Sequence, residues 1–104
     1  MIKEIEQDKK KIIISFTTKL GMVSVRSLEE YIQKNNIFRC YVITTIIPHQ
    51  NVINYIKNIA IIEMIVYSNI SQKIEEIKEW HKDDLVKIIN LENFGERNLM
   101  GDAV

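Results

Sequence analysis

Apolar residues along this chain come in short solid runs, separated by stretches where they recur every three or four positions. That alternation is the pattern of strands and helices taking turns. The first run, Ile12-Ile13-Ile14-Ser15-Phe16, shows no polar alternation. It predicts a strand buried on both faces, as in a parallel sheet. Thr17 to Met22 then turn the chain, with Gly21 free to take unusual backbone angles. Ser27 followed by Glu30 has the spacing of a capping box opening a helix, and Leu28, Tyr31 and Ile32 supply its apolar stripe. Asn35-Asn36 ends that helix, because asparagine tolerates the left-handed conformation at a C-terminus.

A second, longer run spans Ile37 to Ile47 and is stopped by Pro48, which suits the first turn of a following helix. Val52, Ile56 and Ile59 recur at helical spacing, and Ile61 to Tyr67 make a third strand. Ser71 stands where a last helix would be capped. That helix carries Ile74, Ile77 and a core-facing Trp80, breaks near Asp83-Asp84, and resumes with Leu85, Ile88 and Ile89. The resulting order is β-α-β-α-β-α. Short helical crossovers favour parallel neighbours, so the expected architecture is α/β, a three-stranded, mainly parallel sheet with helices packed on it. One domain accounts for residues 1–90, with 1–11 a charged lead-in. Residues 91–104 read as a flexible tail whose Phe94, Leu99 and Met100 are the candidates for docking onto a partner.

Charge narrows the function. Fourteen basic and fourteen acidic side chains cancel, whereas nonspecific nucleic-acid binding draws on a basic excess. Lys9-Lys10-Lys11 and Glu75-Glu76 read as solvated surface. The lysines, with Lys19 and Arg26, are also the one stretch able to form a small phosphate-facing patch. A single cysteine, Cys40, excludes an internal disulfide and a cysteine-rich zinc site, and fits a reduced intracellular compartment. The charged N-terminus does not resemble a signal peptide, and no apolar run reaches membrane-spanning length.

Catalytic and cofactor signatures are missing. Thr17-Thr18-Lys19-Leu20-Gly21-Met22 holds one glycine where a phosphate-binding loop needs several. His49 and His81 fall in no catalytic pattern and read as surface or cap residues. Glu63 interrupts the third strand, which suits an edge position with its carboxylate in solvent. No catalytic residue, metal ligand or small-molecule cofactor is therefore expected.

Residues 12–70 carry a resemblance. The strand Ile12–Phe16, the turn, and Val23-Ser24-Val25-Arg26-Ser27-Leu28 resemble the N-terminal jaw domain of the fifth subunit shared by the eukaryotic nuclear RNA polymerases. There a strand is followed by a valine-glycine-hydrophobic-lysine-threonine run opening a helix. The spacing continues through Lys34-Asn35-Asn36-Ile37-Phe38-Arg39 into Cys40-Tyr41-Val42-Ile43, and Ile47-Pro48-His49-Gln50 lies where the family has its proline turn. Ser24 stands in place of the family's glycine, and the family's preceding helices and following assembly domain have no counterpart in these residues, which suggests a stripped or divergent jaw module or an incomplete chain. The resemblance implies a restriction-endonuclease-like fold and a noncatalytic transcription role. It also implies RNA polymerase subunits and downstream DNA as partners, with Lys19, Arg26, Pro48 and His49 in contact, and a nuclear location. Related nucleases hold a metal on the matching strand with an acid; here Ser15 and Phe16 occupy it. Two alternatives stand beside this reading: a standalone protein-binding domain of a virus or intracellular parasite, and a divergent metal-dependent nuclease.

Overall fold

The structure is a computed structural model and describes residues 9–92; the expectations for residues 1–8 and for Phe94, Leu99 and Met100 lie outside that range. Among the described residues the apolar runs form four strands, β1 (Lys11–Lys19), β2 (Arg39–Ile46), β3 (Ile62–Val66) and β4 (Leu85–Asn90). They are joined by α1 (Met22–Asn35), α2 (Gln50–Lys57) and α3 (Ile70–Trp80). All neighbouring strands are parallel, in the order β3-β2-β1-β4.

The α/β class and the parallel sheet agree with the sequence pattern, but the sheet has one strand more than expected. Residues 85–90 do not continue the last helix. They pair with β1, Ile12 opposite Val86 and Ile14 opposite Ile88. Two causes act together. Val86, Ile88 and Ile89 are β-branched and suit a pleated surface, and β1 would otherwise leave one side of its backbone unpaired in the middle of the domain. With partners on both sides, β1 is a central strand, which explains its unbroken isoleucine run.

The pleat divides the core in two. Ile13, Cys40, Val42 and Ile62 pack against Val25, Leu28 and Ile32 of α1 and Val52 and Ile56 of α2. On the other face Ile12, Ile14, Tyr41 and Ile43 pack against Ile77 of α3. The chain steps outward from β1 to β3 and then returns past β1 to β4. A right-handed return must cross the opposite face, and that is where α3 lies. The direction reverses between β1 and β4, the switch point of a doubly wound sheet. Polar groups inside are satisfied: Ser15 Oγ donates to the Tyr41 carbonyl at 2.8 Å, and no buried side-chain nitrogen or oxygen among the described residues lacks a partner.

Helix ends show where local signals mislead. α1 starts directly after Gly21, with no side-chain cap, so Ser27 lies inside the helix and does not form the expected box with Glu30. The apolar stripe begins at Val25, two residues before Ser27, and packing rather than capping sets the start. α3 is capped by Asn69, whose Oδ1 accepts from the Gln72 N–H at 3.1 Å, rather than by Ser71. Asn36 behaves as expected, ending α1 at φ 53° and donating its N–H to the Ile32 carbonyl. Glu63 is exposed on the edge strand β3, also as expected.

Trp80 departs from expectation: it is 54% exposed. At about 100° per residue it lies ~80° around α3 from the line of Ile70, beside the sheet-facing stripe. It meets the Tyr41 ring in a T-shaped contact, with centroids 6.1 Å apart.

Candidate interaction edge

In a parallel sheet every strand ends on the same side, so the loops after β1, β2 and β3 share one edge. Lys19 closes β1 and pairs with Ile46 at the end of β2. Pro48 and His49 follow on the next loop. Three of the four contact candidates from the sequence are therefore brought to neighbouring loops. Arg26 is not among them; it lies further along α1, beside Tyr55 of α2, where its charge acts on the Tyr55 hydroxyl. Tyr55 donates to Glu29 Oε1 at 2.6 Å, and that bond, ahead of burial, pushes its pKa up.

Pro48 is buried, so the surface of its loop is made by other residues. His49 is the N-cap of α2, with Nδ1 accepting from the Asn51 N–H at 3.1 Å. Ile47 is 71% exposed, and Ile46 and Val66, at the ends of β2 and β3, are also exposed. Val23, in the first turn of α1, adds another exposed apolar side chain. Sequence reasoning attributed this stretch to Pro48 and His49 and missed the isoleucines, although Ile46-Ile47 sits beyond the last buried pair of β2 and was legible as an apolar overhang.

The loop carrying Lys19 is held from both sides. Glu92 Oε2 accepts from the Thr18 N–H at 2.6 Å and from Thr17 Oγ1 at 2.8 Å. Thr45 Oγ1 donates to the Thr18 carbonyl at 3.0 Å. These donors hold the Glu92 carboxyl below the usual carboxylate range, the Thr18 N–H first. The Thr17-Thr18 donors a phosphate would use are thus engaged by the chain's own carboxylate. Leu91, expected in the tail, is buried, and its N–H donates to the Phe16 carbonyl at 2.8 Å.

A second polar cluster lies across the sheet. His81, the C-cap of α3, places Nδ1 2.8 Å from Asp84 Oδ2 and Nε2 2.7 Å from the Tyr41 hydroxyl. In the tautomer whose Nδ1–H faces Asp84, Nε2 accepts from the Tyr41 hydroxyl. Burial, ahead of the Glu63 charge, pushes the Tyr41 pKa up, so the hydroxyl stays protonated and the chain of bonds pins the α3–β4 turn to β2. Nothing in the sequence joins Tyr41 to His81, forty residues apart; only the His81–Asp84 spacing was legible.

Among the described residues no group of three or more His, Cys, Asp or Glu side chains is placed to hold a metal ion, and no helix is long and apolar enough to cross a membrane. Cys40 is fully buried, and burial pushes its thiol up to about 12. No family model matches the chain, and no curated protein or solved structure matches it either.

Proposed function

We propose that this chain is a noncatalytic, jaw-like module of a DNA-directed RNA polymerase, and that it docks on another polymerase subunit through the edge formed by the loops after β1, β2 and β3. The observation that carries the docking is the exposure of Ile46, Ile47 and Val66 beside Lys19 on that edge. Clustered exposed apolar residues with a polar rim mark protein contacts. The zero net charge favours a protein surface over DNA as the principal partner. The transcription assignment rests on the jaw-domain resemblance over residues 12–70, the stretch that contains all three of these loops.

The test is affinity purification of the tagged chain from native extract, with Ile47→Asp in parallel. Polymerase subunits are expected to copurify. Ile47→Asp lowers their recovery about tenfold, the effect of roughly 1.4 kcal/mol, while circular dichroism stays unchanged because Ile47 is exposed. Recovery of the chain without polymerase subunits overturns the transcription reading. Equal recovery by both proteins overturns the edge.

A further inference from the structure

The opposite end of the sheet holds a cleft that the docking edge does not use. α1 covers β1 and β2, while β4 steps out on the far side of β1 with no helix among the described residues above it on the α1 face. Between α1 and β4 this leaves a cleft of about 250 Å³, lined by Lys11, Ile13, Tyr31, Ile37, Val86 and Lys87 among others. Its floor is apolar, since Ile13 and Ile37 belong to the core. Two ammonium groups lean over it toward α1. Lys87 Nζ donates to the Tyr31 hydroxyl at 2.8 Å and lies 5.2 Å from the Tyr31 ring centre. Lys11 Nζ donates to the Asn35 carbonyl at 3.4 Å. Neither meets a carboxylate among the described residues. Each ammonium has three N–H donors and spends one on a neutral oxygen.

We propose that this cleft binds a small aliphatic carboxylic acid as its carboxylate, with the chain on Ile13 and Ile37 and the anion between Lys11 and Lys87. The volume equals about eight molecules of liquid water, which suits an acyl chain of similar heavy-atom count. A singly charged head fits better than a phosphate. The cleft lies at the C-terminal end of α1, where the helix dipole opposes negative charge, and no arginine is among the described residues that line it. Two lysines offset the dipole for one carboxylate. This site is independent of the docking edge, and its failure leaves that reading untouched.

The experiment titrates the isotope-labelled full chain with octanoate below its micellar concentration, following amide resonances, with 1-octanol and acetate as controls. Octanoate is expected to shift Ile13, Tyr31 and Val86 saturably and to bind about tenfold more tightly than either control, since octanol lacks the charge and acetate the chain. The double variant Lys11→Met, Lys87→Met keeps the aliphatic stems and removes both charges. It should weaken octanoate about tenfold and leave octanol unchanged. Octanol binding as well as octanoate overturns the proposal. So does undiminished octanoate binding by the double variant, which would leave the lysines as caps of α1 only, or a set of shifts centred away from the cleft.

Discussion

Cys40 lies in the middle of the sheet, with Ile13 opposite it on β1 and the helices α1 and α2 above. Burial raises its pKa from 9.0 to about 12, a hydrogen bond with Ser15 acting weakly against it. Below pH 9.0 the folded and unfolded chains both keep the thiol proton. Between 9.0 and about 12 the unfolded chain releases it and the folded chain does not, so the thiol's contribution to stability is complete below 9.0 and is lost as pH climbs toward 12. The thiolate is also the reactive form. A disulfide reagent at pH 8 should therefore label the native protein only as fast as it unfolds, and label it at once in strong denaturant. Rapid labelling of the native protein would show that Cys40 is reached from solvent. The same residue illustrates why a lone cysteine in a sequence says little: its spacing is silent, and its position in the pleat decides its chemistry.

At the scale of elements, the decisive feature is β4. Its Leu85, Ile88 and Ile89 fit helical spacing as well as a strand, and the ambiguity was settled by the open side of β1, which the sequence does not display. The solid runs of β1 and β2 were legible because central parallel strands bury both faces. The left-handed Asn36 was legible because few other residues tolerate that conformation. The start of α1 was not, since the Ser27–Glu30 signature is local and the stripe it should precede begins before it. The proposed docking edge was half legible: Lys19 and His49 stood out as side chains, but only parallel pairing puts their loops together. Hydrogen exchange separates strand from helix at β4. The Leu85 and Leu91 N–H groups donate to the Lys10 and Phe16 carbonyls at its two ends, so the pleat aims the Lys87 and Ile89 amides at β1 and those of Val86, Ile88 and Asn90 at solvent. Slow exchange at 87 and 89 with fast exchange at 86 and 88 is the expected result. Uniform protection across 86–89 would mean a helix.

Over the whole molecule the two faces of the sheet are unequal. Among the described residues two helices cover one face. The other is covered by α3, whose one fully buried side chain is Ile77. A helix held so narrowly would be free to detach by itself, were it not for the turn at its C-terminal end. Residues 81–84 join α3 to β4, and two of them, His81 and Asp84, are bonded in line to Tyr41 of β2. Releasing α3 therefore loosens β4, and β4 completes the pairing of the central strand. The described domain should unfold as one cooperative unit, as small single domains usually do. Ile77→Ala tests this, because it weakens α3 without touching the turn. Emptying that site should cost about 2–5 kcal/mol, read as a lower midpoint in urea. Trp80, the sole tryptophan, stands against Tyr41 and reports on α3 by fluorescence, while far-UV circular dichroism reports on the whole chain. The two transitions are expected to coincide in the parent protein and to remain coincident in Ile77→Ala. A fluorescence transition that runs ahead in the variant would show α3 leaving while the sheet stays intact, and would mean that the Tyr41–His81–Asp84 tether does not couple the two faces.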